Sequence, residues 1–224
     1  MCEIHNEINV IKQAYPDNRR LTIFDVGGCN FHDSRALRAH LPYANIFSFE
    51  PDKVNLEQYG EEAARDLINI VPVAVSDSDS EVMFYQSLSH RASGSILKPK
   101  TKPGTTEGII HPGLFFDLEG IPVQTIRLDT FCKLNNILSI DYLHIDVQGA
   151  EEKVIKGLGD LRPGFIFAET CEFGTYESGT TLEEFDKLMS DMGYSIVNRF
   201  RDDTLYKHVE TFPTFTKTDW LPKI

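Results

Sequence analysis

Four acids in this 224-residue chain stand where they could do chemistry together, because each closes a short apolar run. LTIFD ends in Asp25, IFSFE in Glu50, YLHID in Asp146 and FIFAE in Glu169. Short uncharged apolar runs read as buried strands of a parallel sheet. Open α/β sheets bind ligands beyond the carboxyl ends of their strands, so the four carboxylates are expected around one crevice. Clustered carboxylates repel one another. They need a cationic ligand, a metal ion or a set of hydrogen-bond donors.

The turn after the first run, Val26-Gly27-Gly28, lets backbone approach a ligand closely. Glu50, followed by Pro51, ends the next strand, where a carboxylate accepts hydrogen bonds from the ribose of a bound nucleoside. Asp25 beside the turn would repel a pyrophosphate but hold a cationic head. The pattern therefore favours S-adenosylmethionine, with its ammonium and sulfonium, over NAD. The plainer alternative is that Asp25 only caps the turn.

The elements that must position these groups alternate along the chain. Residues 2–15 read as an amphipathic helix with Ile4, Ile8 and Ile11 on one face and Pro16 beyond it. A short helix capped by Asp33 or Ser34 runs to Leu41, and a longer one from Val54 to Leu67 turns Leu56, Tyr59, Ala63 and Leu67 to the core. A third strand spans Ile68–Val75, where Pro72 implies an edge or a bulge. Glu81–Gln86 reads as an added strand, and Ile121–Arg127 as another. LDTFCKLNN is a short helix capped by Asp129 or a neighbour. Then come a central strand at Asp141–Val147, a helix at Ala150–Leu158 and a strand at Phe165–Ala168. Thr181 and Glu184 form a capping box for a helix to Met192, and Tyr194–Phe200 with Thr204–Val209 make a hairpin.

This alternation specifies a single-domain doubly wound α/β fold, Rossmann-like and mostly parallel, with a C-terminal antiparallel hairpin and an insertion around 76–127. The expected boundaries are an N-terminal helix 1–16, a main domain 17–209 and a tail 210–224. Within the domain, 87–120 is rich in Pro and Gly and carries His90, His111, Phe115 and Phe116. A loop of that length inside a domain points to a substrate-facing segment.

A net charge of -12 disfavours nucleic acid and anionic membrane as partners. No apolar run reaches the length of a transmembrane helix, and the N-terminus lacks the apolar centre of a signal peptide. The four cysteines, Cys2, Cys29, Cys132 and Cys171, show no metal-ligand spacing and fit a reducing compartment. A cytoplasmic location is expected.

Taken in order, DVGG, SFEP, AVSD, ASGS, RLDTF and YLHIDVQGAEEKVIKG resemble the FkbM family of S-adenosylmethionine-dependent methyltransferases, from about Leu21 to Glu169. The chain departs from the family pattern at His144, where a lysine is usual, and at Gln148, where a glutamate is usual. It also lacks the last glycine of the family's turn, where Phe31 stands. The resemblance implies the class I methyltransferase fold and methyl transfer to a hydroxyl of a sugar, a glycan or a related small metabolite. The implied cofactor set is Asp25, Gly27, Gly28, Glu50, Pro51, Ala74 and Asp146.

An aliphatic hydroxyl needs a base in hydrogen-bond reach or a metal that lowers its pKa. Asp146 is placed to take the proton or to hold the cofactor's amine; its plainer role is a helix cap. Glu169, on the adjacent strand, can assist it, or the two can share a divalent ion such as Mg²⁺ with Glu172 or Asp77 as a third ligand. His111 on the insertion is a candidate base, whereas His144 inside the central strand reads first as a core residue. Two other readings remain at this stage: an NAD-dependent oxidoreductase, and a catalytically silent cofactor-binding module.

Overall fold

The computed structural model describes residues 4–15, 20–170 and 174–213. Cys2, Pro16, Cys171, Glu172 and the tail from 214 lie outside them, as does the side chain of Ile4. The strands are β1 (Thr22–Val26), β2 (Asn45–Phe49), β3 (Asn69–Val71), β4 (Ala74–Val75), β5 (Glu81–Phe84), β6 (Ile121–Ile126), β7 (Tyr142–Ile145), β8 (Phe165–Glu169), β9 (Tyr194–Arg199) and β10 (Asp203–His208). Seven form one sheet in the order β3-β2-β1-β7-β8-β10-β9, and β4, β6 and β5 form a smaller one. In the large sheet β3, β2, β1, β7 and β8 run parallel, and β10 enters antiparallel between β8 and β9.

Among the described residues six α-helices cover this sheet: α1 (Ile4–Ala14), α2 (His32–His40), α3 (Lys53–Arg65), α4 (Leu128–Leu134), α5 (Glu151–Lys156) and α6 (Leu182–Asp191). Alternate residues of each buried strand serve opposite faces. Phe24, Val26, Leu143 and Ile145 pack with Phe131, Val154, Ile155 and Phe185 from α4, α5 and α6. Ile23, Ile46 and Tyr142 pack with Ile8, Ile11, Leu37 and Ala63 from α1, α2 and α3. On the first face Phe24, Phe49 and Phe131 meet edge to face with centroids 4.9–5.6 Å apart, a geometry that adds about 0.5–1.5 kcal/mol per pair beyond burial.

Several local expectations are corrected. The stretch Ile68–Val75 is two strands, not one, because Pro72 has no N–H with which to continue the ladder. Its first half is the edge of the large sheet, and its second half pairs with β6 in the small sheet. The N-cap of α2 is Phe31, left-handed at φ 59°, since the Ser34 hydroxyl is drawn away to Asp25. Asp129 does not cap α4; it holds Arg127, the N-cap residue, at 2.5 Å. Leu67 lies past the last turn of α3 at φ 59° and is 73% exposed, so it takes no part in the core. The Thr181–Glu184 capping box is present as read.

Candidate active site

β1 continues through Asp25 to Val26, and the chain turns at Gly27 with φ 99°. A Cβ at Gly27 would lie 1.8 Å from the Asp146 carbonyl oxygen, so the tips of β1 and β7 pass each other in backbone contact that only glycine permits. The N–H groups of Gly27 and Gly28 both donate to the Phe49 carbonyl at 3.0 Å, which ties the turn to the end of β2. There Glu50 is 3% exposed. Its Oε2 accepts from Cys29 N at 2.7 Å, and its Oε1 from Asp52 N at 2.7 Å and Asn55 Nδ2 at 3.4 Å. Burial pushes the Glu50 carboxyl up to about 7 despite these donors.

Gly27, Glu50, Pro51, Ala74 and Asp146 line one crevice, which encloses about 510 Å³ of space partly open to solvent. Arg91, Gly94, Ser95 and Ile96 from the insertion close its other side. The insertion is fastened there by Gln86 Nε2 to Asp52 Oδ1 at 2.8 Å and by Tyr176 Oη to the Ser93 carbonyl at 2.7 Å. Phe116, fully buried against Tyr176 and Leu97, anchors it, while Phe115 stays 40% exposed.

Asp25 and Gly28 are not among the crevice residues. Strand parity sends the Asp25 side chain to the α1–α3 face, opposite Phe24 and Val26. It is 1% exposed and meets His144 Nδ1 at 2.9 Å, Ser48 Oγ at 2.9 Å and Ser34 Oγ at 2.5 Å. Although burial raises its pKa, the His144 ring and the two hydroxyls more than offset this and hold the carboxyl below the usual range. Asp25 and His144 together therefore brace β1 against β7 beneath the glycine turn.

Beyond Asp146, Gln148, left-handed at φ 57°, places its amide between two strand tips; neither it nor Glu169 is a crevice residue. Its Nε2 donates to Asp146 Oδ1 and to Glu169 Oε2, both at 2.7 Å. Sequence reasoning noted this residue only as a departure from pattern. Glu151, in sequence only an acid favourably placed at the start of its helix, accepts at Oε1 from Val147 N and Gly149 N at 3.1 Å and so shapes the loop carrying Gln148. Burial pushes Glu151 up to about 7. His111 is exposed on the insertion and is not a crevice residue.

The described residues do not make a divalent cation site in this arrangement. One amide already bridges the Asp146 and Glu169 carboxylates. Asp77, the other third-ligand candidate among the described residues, faces Lys153 at 3.4 Å. No three His, Cys, Asp or Glu come together as ligands among the described residues. A nucleoside fits better. The crevice wall offers the buried Glu50 carboxylate and, beside it, Asn55.

A parallel sheet whose last strand enters antiparallel, with its crevice at the β1–β7 switch point, is the class I methyltransferase fold. The Methyltransferase FkbM domain matches residues 25–196, and the chain belongs to that family. A 2-O-methyltransferase, NoeI of Sinorhizobium fredii, is 31% identical over 164 residues, 69% of this chain. The match spans 65% of NoeI's own length. Among solved structures, a SAM-dependent methyltransferase from Aquifex aeolicus is similar at a TM-score of 0.43 and 9% identity, over 91% of this chain and 89% of that one. A 1,6-didemethyltoxoflavin-N1-methyltransferase from Burkholderia thailandensis, holding its substrate and S-adenosylhomocysteine, is similar at 0.42 and 10%, over 92% and 78%. Membership in the family sets aside the nicotinamide reading. No helix among the described residues is long and apolar enough to cross a membrane.

Proposed function

We propose that this chain is an O-methyltransferase acting on a hydroxyl of a sugar, a glycan or a related small metabolite. The carrying observation is the crevice residue Asp146, whose carboxylate is oriented by the Gln148 amide that also bonds Glu169. The 2-O-methyltransferase activity named for NoeI supports oxygen as the acceptor atom.

S-adenosylmethionine, when bound, supplies a methyl group made electrophilic by its sulfonium. The chain's own residues do the rest. Gly27, Glu50 and Asp146 line the crevice together, with Gly27 and Asp146 in backbone contact. Gln148 takes one oxygen of Asp146, which fixes that carboxylate in orientation and leaves its second oxygen to receive the hydroxyl proton. Glu169 holds the amide from the other side, so the base does not swing. Positioning of this kind can supply roughly 7–11 kcal/mol of a barrier, and the base a further factor of about 10²–10⁴.

The test is methyl transfer from isotopically labelled S-adenosylmethionine to a panel of mono- and oligosaccharides, read by mass spectrometry of the product. Label in an ether linkage supports the reading. Label on nitrogen or carbon, or tight cofactor binding with no transfer to any hydroxyl while other acceptors turn over, overturns it.

A further inference from the structure

Glu151, the first residue of α5, is wholly enclosed by the protein at 0% exposure. Its two oxygens are unequal. Oε1 accepts from Val147 N and from Gly149 N, both at 3.1 Å. Oε2 is buried with no hydrogen-bond partner among the described residues. The two donors bracket Gln148, whose φ of 57° is kept by a residue with a side chain only where its surroundings impose it. Drawing the N–H groups on either side of Gln148 onto one oxygen imposes it. Gly149, at φ 94°, completes the turn, and the Tyr176 ring shuts it in from the other side, where a Cβ at Gly149 would come within 3.1 Å. From this turn the Gln148 amide reaches Asp146 Oδ1 and Glu169 Oε2.

We propose that Glu151 is a positioning residue for methyl transfer: through the 147–149 turn it sets the direction in which Gln148 holds Asp146, and so the rate at which that carboxylate takes the acceptor's proton. This rests on the role given to Asp146 above. Glu151 is not a crevice residue, so its effect reaches the reaction through Gln148. The inequality of its oxygens says which part of the group matters. One acceptor atom does the holding, and a negative charge is not required. Burial raises the carboxyl to about 7, and the carbonyl oxygen of its neutral form still has two lone pairs for two N–H groups. Glutamine has the same length and offers the same acceptor. Its NH2 would take the place of an oxygen that already lacks a partner. Aspartate, one methylene shorter, and alanine leave both N–H groups without an acceptor.

Steady-state kinetics with S-adenosylmethionine and an acceptor that wild type methylates test this, beside isothermal titration with S-adenosylhomocysteine. E151A and E151D should lose about a hundredfold in kcat, the scale of a reacting group displaced by about 1 Å, while the affinity for S-adenosylhomocysteine changes little. E151Q should recover most of the lost rate. Q148A should fall as far as E151A, and the double variant no further, because both act through one amide. Undiminished kcat in E151A overturns the proposal, as does an E151Q as slow as E151A. A loss of kcat matched by an equal loss of S-adenosylhomocysteine affinity also overturns it, since the effect would then lie in the crevice and not at the base. If E151A does not fold, E151D and E151Q carry the same comparison. Methylation on nitrogen or carbon marks the failure of the O-methyl reading, while the ratios of variant to wild-type kcat still judge Glu151. Absence of transfer to any acceptor removes the role of Asp146, and the Glu151 proposal falls with it.

Discussion

His144 Nδ1 and the Asp25 carboxylate meet at 2.9 Å inside the sheet, joining the two strands that flank the switch point. Removing one partner of a buried pair leaves the other uncompensated and costs about 3–5 kcal/mol. D25A should lower the urea stability of the protein by that order. The Asp25 pKa is held below 3.8 in the folded state. Its contribution is therefore complete above the unfolded value and is lost as pH falls through the folded one. The stability difference between wild type and D25A should shrink below about pH 4; a difference unchanged down to pH 2.5 would contradict the assignment.

Glu50 gives the opposite sign. Its folded value of about 7 lies above the ordinary 4.5, so stability is full below 4.5 and declines as pH rises to 7. Ligand hydroxyls donate to the ionised form, so affinity for S-adenosylhomocysteine should rise over the same interval. Titration calorimetry should show binding up to about tenfold tighter at pH 8 than at pH 6. E50Q should bind weakly at both pH values and show no such rise. A pH-independent affinity in wild type would count against a role for this carboxylate.

Gly27 should not tolerate alanine. The new Cβ would lie 1.8 Å from the Asp146 carbonyl, and φ 99° is strained for any residue with a side chain. We expect G27A to lose about 2–4 kcal/mol in chemical denaturation and to lose measurable cofactor binding. Native-like stability and binding in G27A would mean that the two strand tips are farther apart than described.

Gln148 carries a neutral donor between two acids. Q148E puts a third carboxylate in its place and removes the donor. Its melting temperature should fall at pH 8 and recover on adding millimolar Mg²⁺ or Ca²⁺, because three clustered oxygen ligands then attract a hard cation. Wild-type melting should not respond to these ions. Recovery of wild type and variant to the same degree would refute the assignment of the Gln148 amide as the bridge between the two carboxylates.

The sequence disclosed the sheet because four of its five parallel strands were apolar runs meeting an acid, and the Thr181–Glu184 box announced its helix unaided. What stayed hidden turned on registers and directions. One more residue in β1 sets Asp25 by parity on the α1–α3 face, against His144 rather than in the crevice wall. Pro72 signalled an interruption but not that the chain would leave one sheet for another. Glu50, Pro51 and Ala74 share a crevice that strand ends made legible, whereas Asn55 became visible only in the folded chain. His111 carried the right chemistry, but nothing in a Pro- and Gly-rich stretch tells which part of it returns to the sheet. Residues 91–96 do, and His111 does not.

Cys29 forms part of the same wall, and burial with the nearby Glu50 charge pushes its thiol up to about 11. At neutral pH only about one such thiol in ten thousand is ionised. A thiol held in its neutral form is a poor nucleophile, so this part of the wall is inert toward alkylating reagents at neutral pH.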